Sequence, residues 1–275
     1  MFGRRRIEYK TDAQLRTMAR AGVVTSRALD AAVAAAAPGV STADLDAVFR
    51  EVLAEHGATS NFLGYYDYPA TICASPNEIV VHGIPGPRAL GEADIISIDG
   101  GAIVEGWHGD SARTVLMSRA GSEDRELSEI TREAMWHGIA AAASAQRVGE
   151  IGAAIEDFVR AESGGTYGII EDYVGHGIGS AMHMAPDVPN YRTREAGPRI
   201  KPGMALAIEP MLVTGSTQTE VLEDDWTVVT LDGSHSSQWE HSVAFHRDGI
   251  WVLTAEDGGA EELARRGVRV APIPQ

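Results

Sequence analysis

The sequence of 275 residues predicts an α+β fold of two similar halves, with helices outside a central antiparallel sheet. Three observations predict it. The stretch Ile95–Met117 alternates as a β-hairpin should, at the middle of the first half. An order of helix, helix, strand with His-Gly-Ile, then strand ending in an acid runs through the chain twice. Both copies also carry carboxylates at matching strand positions. A repeat of supersecondary units in this order predicts one domain about a pseudo-twofold axis, not two independent ones.

Residues 1–10 are expected to form a tail, with Arg4–Arg5–Arg6 solvated, and residues 11–275 a single domain. Thr11 and Gln14 have capping-box spacing at the start of a long helix. Leu15, Met18, Ala19, Val23, Ser26 and Leu29 make its inward stripe, and Pro38–Gly39 ends it. A second helix, from Ser41 or Thr42 to Gly57, turns Leu45, Val48, Phe49, Val52 and Leu53 inward. The aromatic cluster Phe62, Tyr65, Tyr66 and Tyr68 precedes short strands at Ile72–Ala74 and Ile79–Val81.

In the hairpin, a tight turn at Glu105–Gly106 sets Gly101 opposite Asp110. Asp99 shares the face of Gly101, away from Ile96 and Ile98, and lies about 7–8 Å diagonally from Asp110 at the backbone. Two carboxylates so placed on a partly buried face repel, unless a cation sits between them or one holds a proton.

The second half begins with helices at Ser122–Ala145 (Leu127, Ile130, Ala134 and Ile139 inward) and Ile151–Ala161. The strand region Asp172–Gly177 follows, where VGHGIG echoes VHGIPG; IKPGMALAIEP then echoes LGEADIISIDG. The last strands are expected at Trp226–Thr230 and Gln238–Phe245. The repeat pairs His82 with His176, Asp99 with Glu209, and Asp110 with Glu240. Acids at buried strand ends require protons, cationic partners or metal. Arg113, the one basic residue inside these strand motifs, alternates away from Asp110. Four acids and the imidazole of His176 form an oxygen-rich set that two divalent ions, bridged by shared carboxylates, would satisfy. His108 and His241 are expected on the face opposite their acidic neighbours, and His56, His137 and His246 at the surface or at helix caps.

Composition excludes other classes. Lys and Arg number 23 against 39 acids, a net charge of −16. Phosphate binding needs clustered cations, so no DNA partner is expected. The single cysteine, Cys73, precludes an internal disulfide and suits a reducing compartment. Apolar runs are broken by charge well before membrane-spanning length, and no secretory leader is read. A cytoplasmic monomer without a membrane partner is expected.

The motifs NEIVVHGIP, ISIDGG, GWHGDSART, VGHGIG with His183 downstream, KPGMALAIEPM and QWEHSVAF resemble those of type I methionine aminopeptidases of the pita-bread fold, from about Ile7 to Leu253. The resemblance implies metal-dependent removal of methionine from the N terminus of nascent proteins and peptides with a small second residue. A hydroxide bridging two divalent ions (Mn, Fe, Co or Zn) would be the nucleophile. It implies that Asp99 chelates one ion, that Asp110 and Glu240 bridge both, and that His176 and Glu209 bind the other. Glu209 would also carry the proton to the leaving amine, and His82 and His183 would contact the substrate and the tetrahedral intermediate. Phe62, Tyr65, Tyr68, Cys73, Met182 and Trp226 would line the side-chain pocket. Phe62 stands where many relatives carry a small Cys, and Met182 where many carry Phe; a flexible Met suits a thioether guest. Carboxylate-rich coordination leans toward Mn²⁺ or Fe²⁺. Nascent chains bring the ribosome in as a possible partner, although no zinc-finger or Pro-rich extension is read for docking there. Two other readings compete with this one. Xaa-Pro-cleaving relatives carry a separate N-terminal domain, whereas only ten residues precede the first helix expected here. An inactive pita-bread binding protein would have lost one of the five ligand positions, and all five are filled.

Overall fold

The computed structural model describes residues 6–275. Helix α1 (Asp12–Ala35) starts at a reciprocal capping box between Thr11 and Gln14 and buries Leu15, Met18, Ala21, Ala28 and Leu29. Ala19 and Val23, expected in its inward stripe, are only half-buried. Gly22 and Thr25 are buried instead, because the helix lies close against the sheet: a Cβ on Gly22 would meet the Leu253 carbonyl oxygen at 2.1 Å. Helix α2 (Thr42–Glu55) is capped by Ser41 and Asp44 and buries Leu45, Phe49 and Leu53.

Strands β1 (Thr59–Ser60), β2 (Ile72–Pro76) and β3 (Ile79–Val81) lead into the hairpin of β4 (Ile95–Val104) and β5 (Trp107–Leu116). Both turn residues take the left-handed conformation (Glu105 φ 50°, Gly106 φ 78°), which matches the twist of a two-residue hairpin turn. The register sets Gly101 opposite Asp110 and Asp99 opposite Ala112, as the alternation predicted.

The second half comprises α3 (Ser122–Ala142), α4 (Gly149–Ser163), β6 (Gly168–Ile169), β7 (Gly175–Gly177), β8 (Met184–Val188) and β9 (Ala205–Ile208). It continues through β10 (Met211–Val213), β11 (Thr219–Val221), β12 (Val228–Thr230), β13 (Ser236–Gln238), β14 (Glu240–His246), β15 (Gly249–Val252) and α5 (Ala260–Arg265).

The main sheet is antiparallel, in the order β1-β4-β5-β14-β9-β7-β8, with β2 also on β4 and β15 on β14. The halves join at β5 and β14, where Glu240 pairs with Ala112. Ile96 and Ile98 pack under α1 and α2 with Leu29, Leu45 and Phe49. Leu206, Ile208, Val243 and Phe245 pack under α3 and α4 with Leu127, Ile139, Ile151 and Ile155. Period-two alternation then sends Asp99, Glu209 and Glu240 to the face away from the helices. Strands β3, β10 and β12 of the two small three-stranded sheets pack together through Val80, Val81, Met211, Val213 and Val228. No helix among the described residues is long and apolar enough to cross a membrane.

Within the expected tail, Ile7 packs on the core and the Lys10 amide donates to the Gly203 carbonyl at 2.7 Å; Arg4 and Arg5 lie outside the described residues. His246 corrects the surface expectation. It is only 5% exposed, with Nε2 2.9 Å from the Ala271 carbonyl, because the segment after α5 folds back over β14.

One buried acid, Asp46 on α2, ties the helix layer to the site-bearing sheet. Its Oδ1 accepts from the Thr71 amide (2.7 Å), the Thr71 hydroxyl (2.6 Å) and the Ile72 amide (3.2 Å). Asp46→Ala should cost about 2–4 kcal/mol, since a hydrogen bond to a charged group contributes roughly 1.5–3 and orphaned buried donors cost more. Urea unfolding checks this; a loss below about 0.5 kcal/mol would show that the anchor is idle.

Candidate metal centre and adjoining pocket

Five neighbouring strands in sheet order supply the polar row. Asp99 lies on β4, Asp110 on β5, Glu240 on β14, Glu209 directly after β9 and His176 on β7. Asp110, His176 and Glu240 are buried and present ligand atoms within 4.8 Å of one another. Glu209 joins them, its Oε1 3.4 Å from His176 Nε2. Nδ1 of His176 lies 3.0 Å from the Gly177 carbonyl. That contact places the ring hydrogen on Nδ1 and turns the Nε2 lone pair toward the acids. Asp110 is pinned across the junction of the halves, its amide 3.1 Å from the Ser242 hydroxyl oxygen.

Electrostatics follow from this crowding. Burial raises Asp99, and the charges of Asp110 and Glu209 raise it further. Burial and Asp110 raise Glu209; burial, Asp110, Glu209 and Asp99 raise Glu240. Asp110 is pushed up to about 7 by burial, with Asn61 and the Ser111 amide opposing. Burial and then His183 lower His176 to about 3 and His82 to about 4, which favours neutral rings. Asp99 Oδ1, Asp110 Oδ1 and Glu240 Oε1 are buried without a hydrogen-bond partner among the described residues. Anionic oxygens orphaned beside a neutral imidazole fit divalent cations.

Every residue expected at the site borders one cavity. Its polar wall is the five-residue row with His82 and His183; its apolar wall holds Phe62, Tyr65, Tyr68, Cys73, Met182 and Trp226. Phe62 and Tyr68 meet edge-on at 6.2 Å, and Tyr68 meets Trp226 edge-on at 5.0 Å. The Tyr68 hydroxyl is shared between the carbonyls of Ile72 (3.0 Å) and Gly83 (3.1 Å). Cys73 pairs across the ladder with Asp99, and burial and then that acid raise its thiol. His82 sits in the left-handed conformation at φ 61°, its ring edge-on to Tyr173 at 5.6 Å.

Other residues at the site were not read from the sequence. Gln238 lines the cavity and donates from Nε2 to Glu209 Oε2 at 3.3 Å. It is two residues before Glu240, so parity alone could have found it. Asn61 donates to the Gly109 carbonyl at 3.3 Å, and a Cβ on Gly101 would meet its side chain at 2.2 Å. Paired glycines inside a strand signal such a close approach. Tyr173, Val174, Val81 and Met211 complete the wall. His108 corrects an expectation: two residues from Asp110 on β5, it shares that face, and burial and then His183 lower its ring to about 4. His241 does face the helices, against Trp136 and Thr254.

The chain belongs to Metallopeptidase family M24, whose pattern matches residues 16–247. Methionine aminopeptidase 1 of Mycobacterium tuberculosis is 48% identical over 256 residues, covering 92% of this chain and 96% of that protein. The crystal structure of methionine aminopeptidase from Thermotoga maritima superposes with a TM-score of 0.87 at 34% identity, over 91% of this chain and 100% of that one. Within M24 the chain therefore groups with the type I methionine aminopeptidases and shares their pita-bread fold. A prolidase from Pyrococcus furiosus shares the fold alone, at TM-score 0.71 and 20% identity, and this chain spans 65% of it.

Divalent metal should couple to stability through these acids. Asp99, Glu209 and Glu240 are raised, so above about pH 7 the metal-free folded state binds more protons than the unfolded chain, and stability falls as pH rises. The lowered histidines act in the opposite sense only below about pH 6.5, their unfolded value. Chelated protein should therefore lose melting temperature as pH rises above about 7. Protein loaded with Mn²⁺ should stay nearly flat over that range. Equal slopes in both would contradict the site.

Proposed function

We propose that this chain is a metal-dependent methionyl aminopeptidase that removes the first residue of proteins and peptides whose second residue is small. The observation that carries this reading is the junction of the two walls: a buried carboxylate row opening directly onto an apolar cleft. Membership of M24 and the extent of the likeness to named methionine aminopeptidases support it.

Asp99 would hold one divalent ion, His176 and Glu209 a second, and Asp110 and Glu240 both. Drawn from Mn, Fe, Co or Zn, the bound ions supply Lewis acidity and lower the pKa of bound water. The protein groups handle the rest. Glu209 accepts the proton of the attacking water and returns it to the leaving amine nitrogen as the peptide C–N bond breaks. His183 donates to the carbonyl oxygen as it gains charge, a contact stronger in the transition state than in the ground state. His82, held neutral by burial, contacts the substrate from the wall of the same cavity. A free α-amino group would be a ligand for a bound ion, which limits cleavage to the first bond.

The methionine side chain lies among Tyr65, Tyr68, Cys73, Met182 and Trp226, with Phe62 at the deep end. The second residue then sits beside the ligand row, where Gly, Ala and Ser fit and Lys or Trp do not. One chain supplies every group named, which supports action as a monomer. New N termini arise on nascent chains, so we infer the ribosome's surroundings in the cytoplasm as its place of work. The single buried thiol, Cys73, suits that compartment.

A Met-Ala-Ser peptide should release free Met, and a chelator should abolish this until Mn²⁺ is restored. Cleavage that survives chelation, or favours Xaa-Pro peptides, would overturn the reading. Phe62→Cys tests the depth of the pocket. It should raise KM for Met peptides more than it lowers kcat, because the contact is made equally in ground and transition states. An unchanged KM would place Phe62 in the core and outside the pocket.

A further inference from the structure

His183 and Tyr65 come from opposite halves of the chain, yet Nδ1 of His183 lies 2.8 Å from the Tyr65 hydroxyl oxygen. The two rings are tilted, with centroids 5.3 Å apart, and the His176 ring stands edge-on to His183 at 4.3 Å. The backbone that delivers Tyr65 is demanding. Gly64 (φ 82°), Tyr66 (φ 45°) and Asp67 (φ 66°) are all left-handed around it, and the Tyr66 ring buttresses Tyr65 edge-on at 4.7 Å. Left-handed backbone at residues other than glycine persists where its surroundings fix it, and such positions cluster at functional sites.

A neutral imidazole has one donor nitrogen and one acceptor nitrogen, and the partner of one decides the state of the other. If Nδ1 carries the hydrogen and donates to Tyr65, Nε2 offers a lone pair, which repels an oxygen gaining negative charge. If Tyr65 donates to Nδ1, Nε2 carries the hydrogen and can donate. We propose that Tyr65 is a positioning residue: its hydroxyl donates to Nδ1 of His183 and fixes the Nε2–H tautomer that serves the carbonyl oxygen. The inference rests on the role given to His183 above. It adds to the pocket wall a second duty for Tyr65, exerted through a neighbouring ring and not through the substrate.

Tyr65→Phe keeps the ring and deletes the hydroxyl. It should lower kcat for Met-Ala-Ser roughly 5- to 20-fold, short of the 10²–10³-fold expected for losing the whole donor in His183→Ala. KM should stay within about two-fold, and the loss should vanish in the His183→Ala background. In ¹⁵N-histidine NMR spectra, His183 should be the Nε2–H form in the native protein and a mixture of tautomers in Tyr65→Phe. A loss of equal size in both backgrounds, a change confined to KM, or an Nδ1–H signature in the native protein would overturn the proposal. A slowed His183→Ala beside a fully active Tyr65→Phe would remove the proposal alone. A fully active His183→Ala would remove the role of His183 and the proposal with it.

Discussion

Repulsion among four acids held on one dry face of a sheet is the constraint on which this structure depends. Each side chain is placed by period-two alternation whose other register buries Ile96, Ile98, Ile208 and Val243 under helices. Sliding a strand by one residue to separate the acids would expose its core residues. The hydrophobic layer therefore enforces the crowding, which bound protons or a cation relieve. The raised values of Asp99, Glu209 and Glu240 measure the same conflict, since burial and neighbouring charge both disfavour their ionised forms.

Neither half holds a complete site. The first contributes Asp99, Asp110, Cys73 and the aromatic wall of Phe62, Tyr65 and Tyr68. The second contributes His176, Met182, His183, Glu209 and Glu240. Pairing of β5 with β14 closes the sheet between them, and the Ser242 hydroxyl donates to the Asp110 carbonyl at 2.8 Å across that seam. The polar row is therefore complete only where the two halves pair. The apolar pocket stands next to the acids because the β2 ladder sets Cys73 against Asp99, with Tyr68 anchored on the Ile72 carbonyl. In the proposed function, one strand pair serves both the side-chain pocket and the hydrolytic site.

What was legible in the sequence was periodic. Alternation gave the hairpin register and the faces of Asp99 and Asp110, and the repeat found Glu209, Glu240 and His176. Positions on the ligand face that are not acids were passed over, as with Gln238, or assigned the wrong face, as with His108. Contacts that close long loops leave no local trace. Nothing in the sequence singles out Asp46 until the fold brings Thr71 onto it, and His246 reads as a surface residue until the segment around Ala271 covers it. The Tyr65–His183 hydrogen bond joins positions 118 residues apart, and only the folded chain brings them together. The pocket roles came from resemblance to a family, because aromatic residues at irregular spacing look the same whether they line a cavity or fill a core.

We propose that the carboxylate row holds two ions, with Asp110 and Glu240 shared. Anomalous diffraction from a crystal of the protein loaded with Mn²⁺ tests it most directly. Two peaks are predicted, one touching Asp99, Asp110 and Glu240 and the other Asp110, His176, Glu209 and Glu240, separated by about 3.5–4 Å as in other two-metal sites. A single peak at saturating metal, or peaks that Asp110 and Glu240 do not touch, would contradict the account.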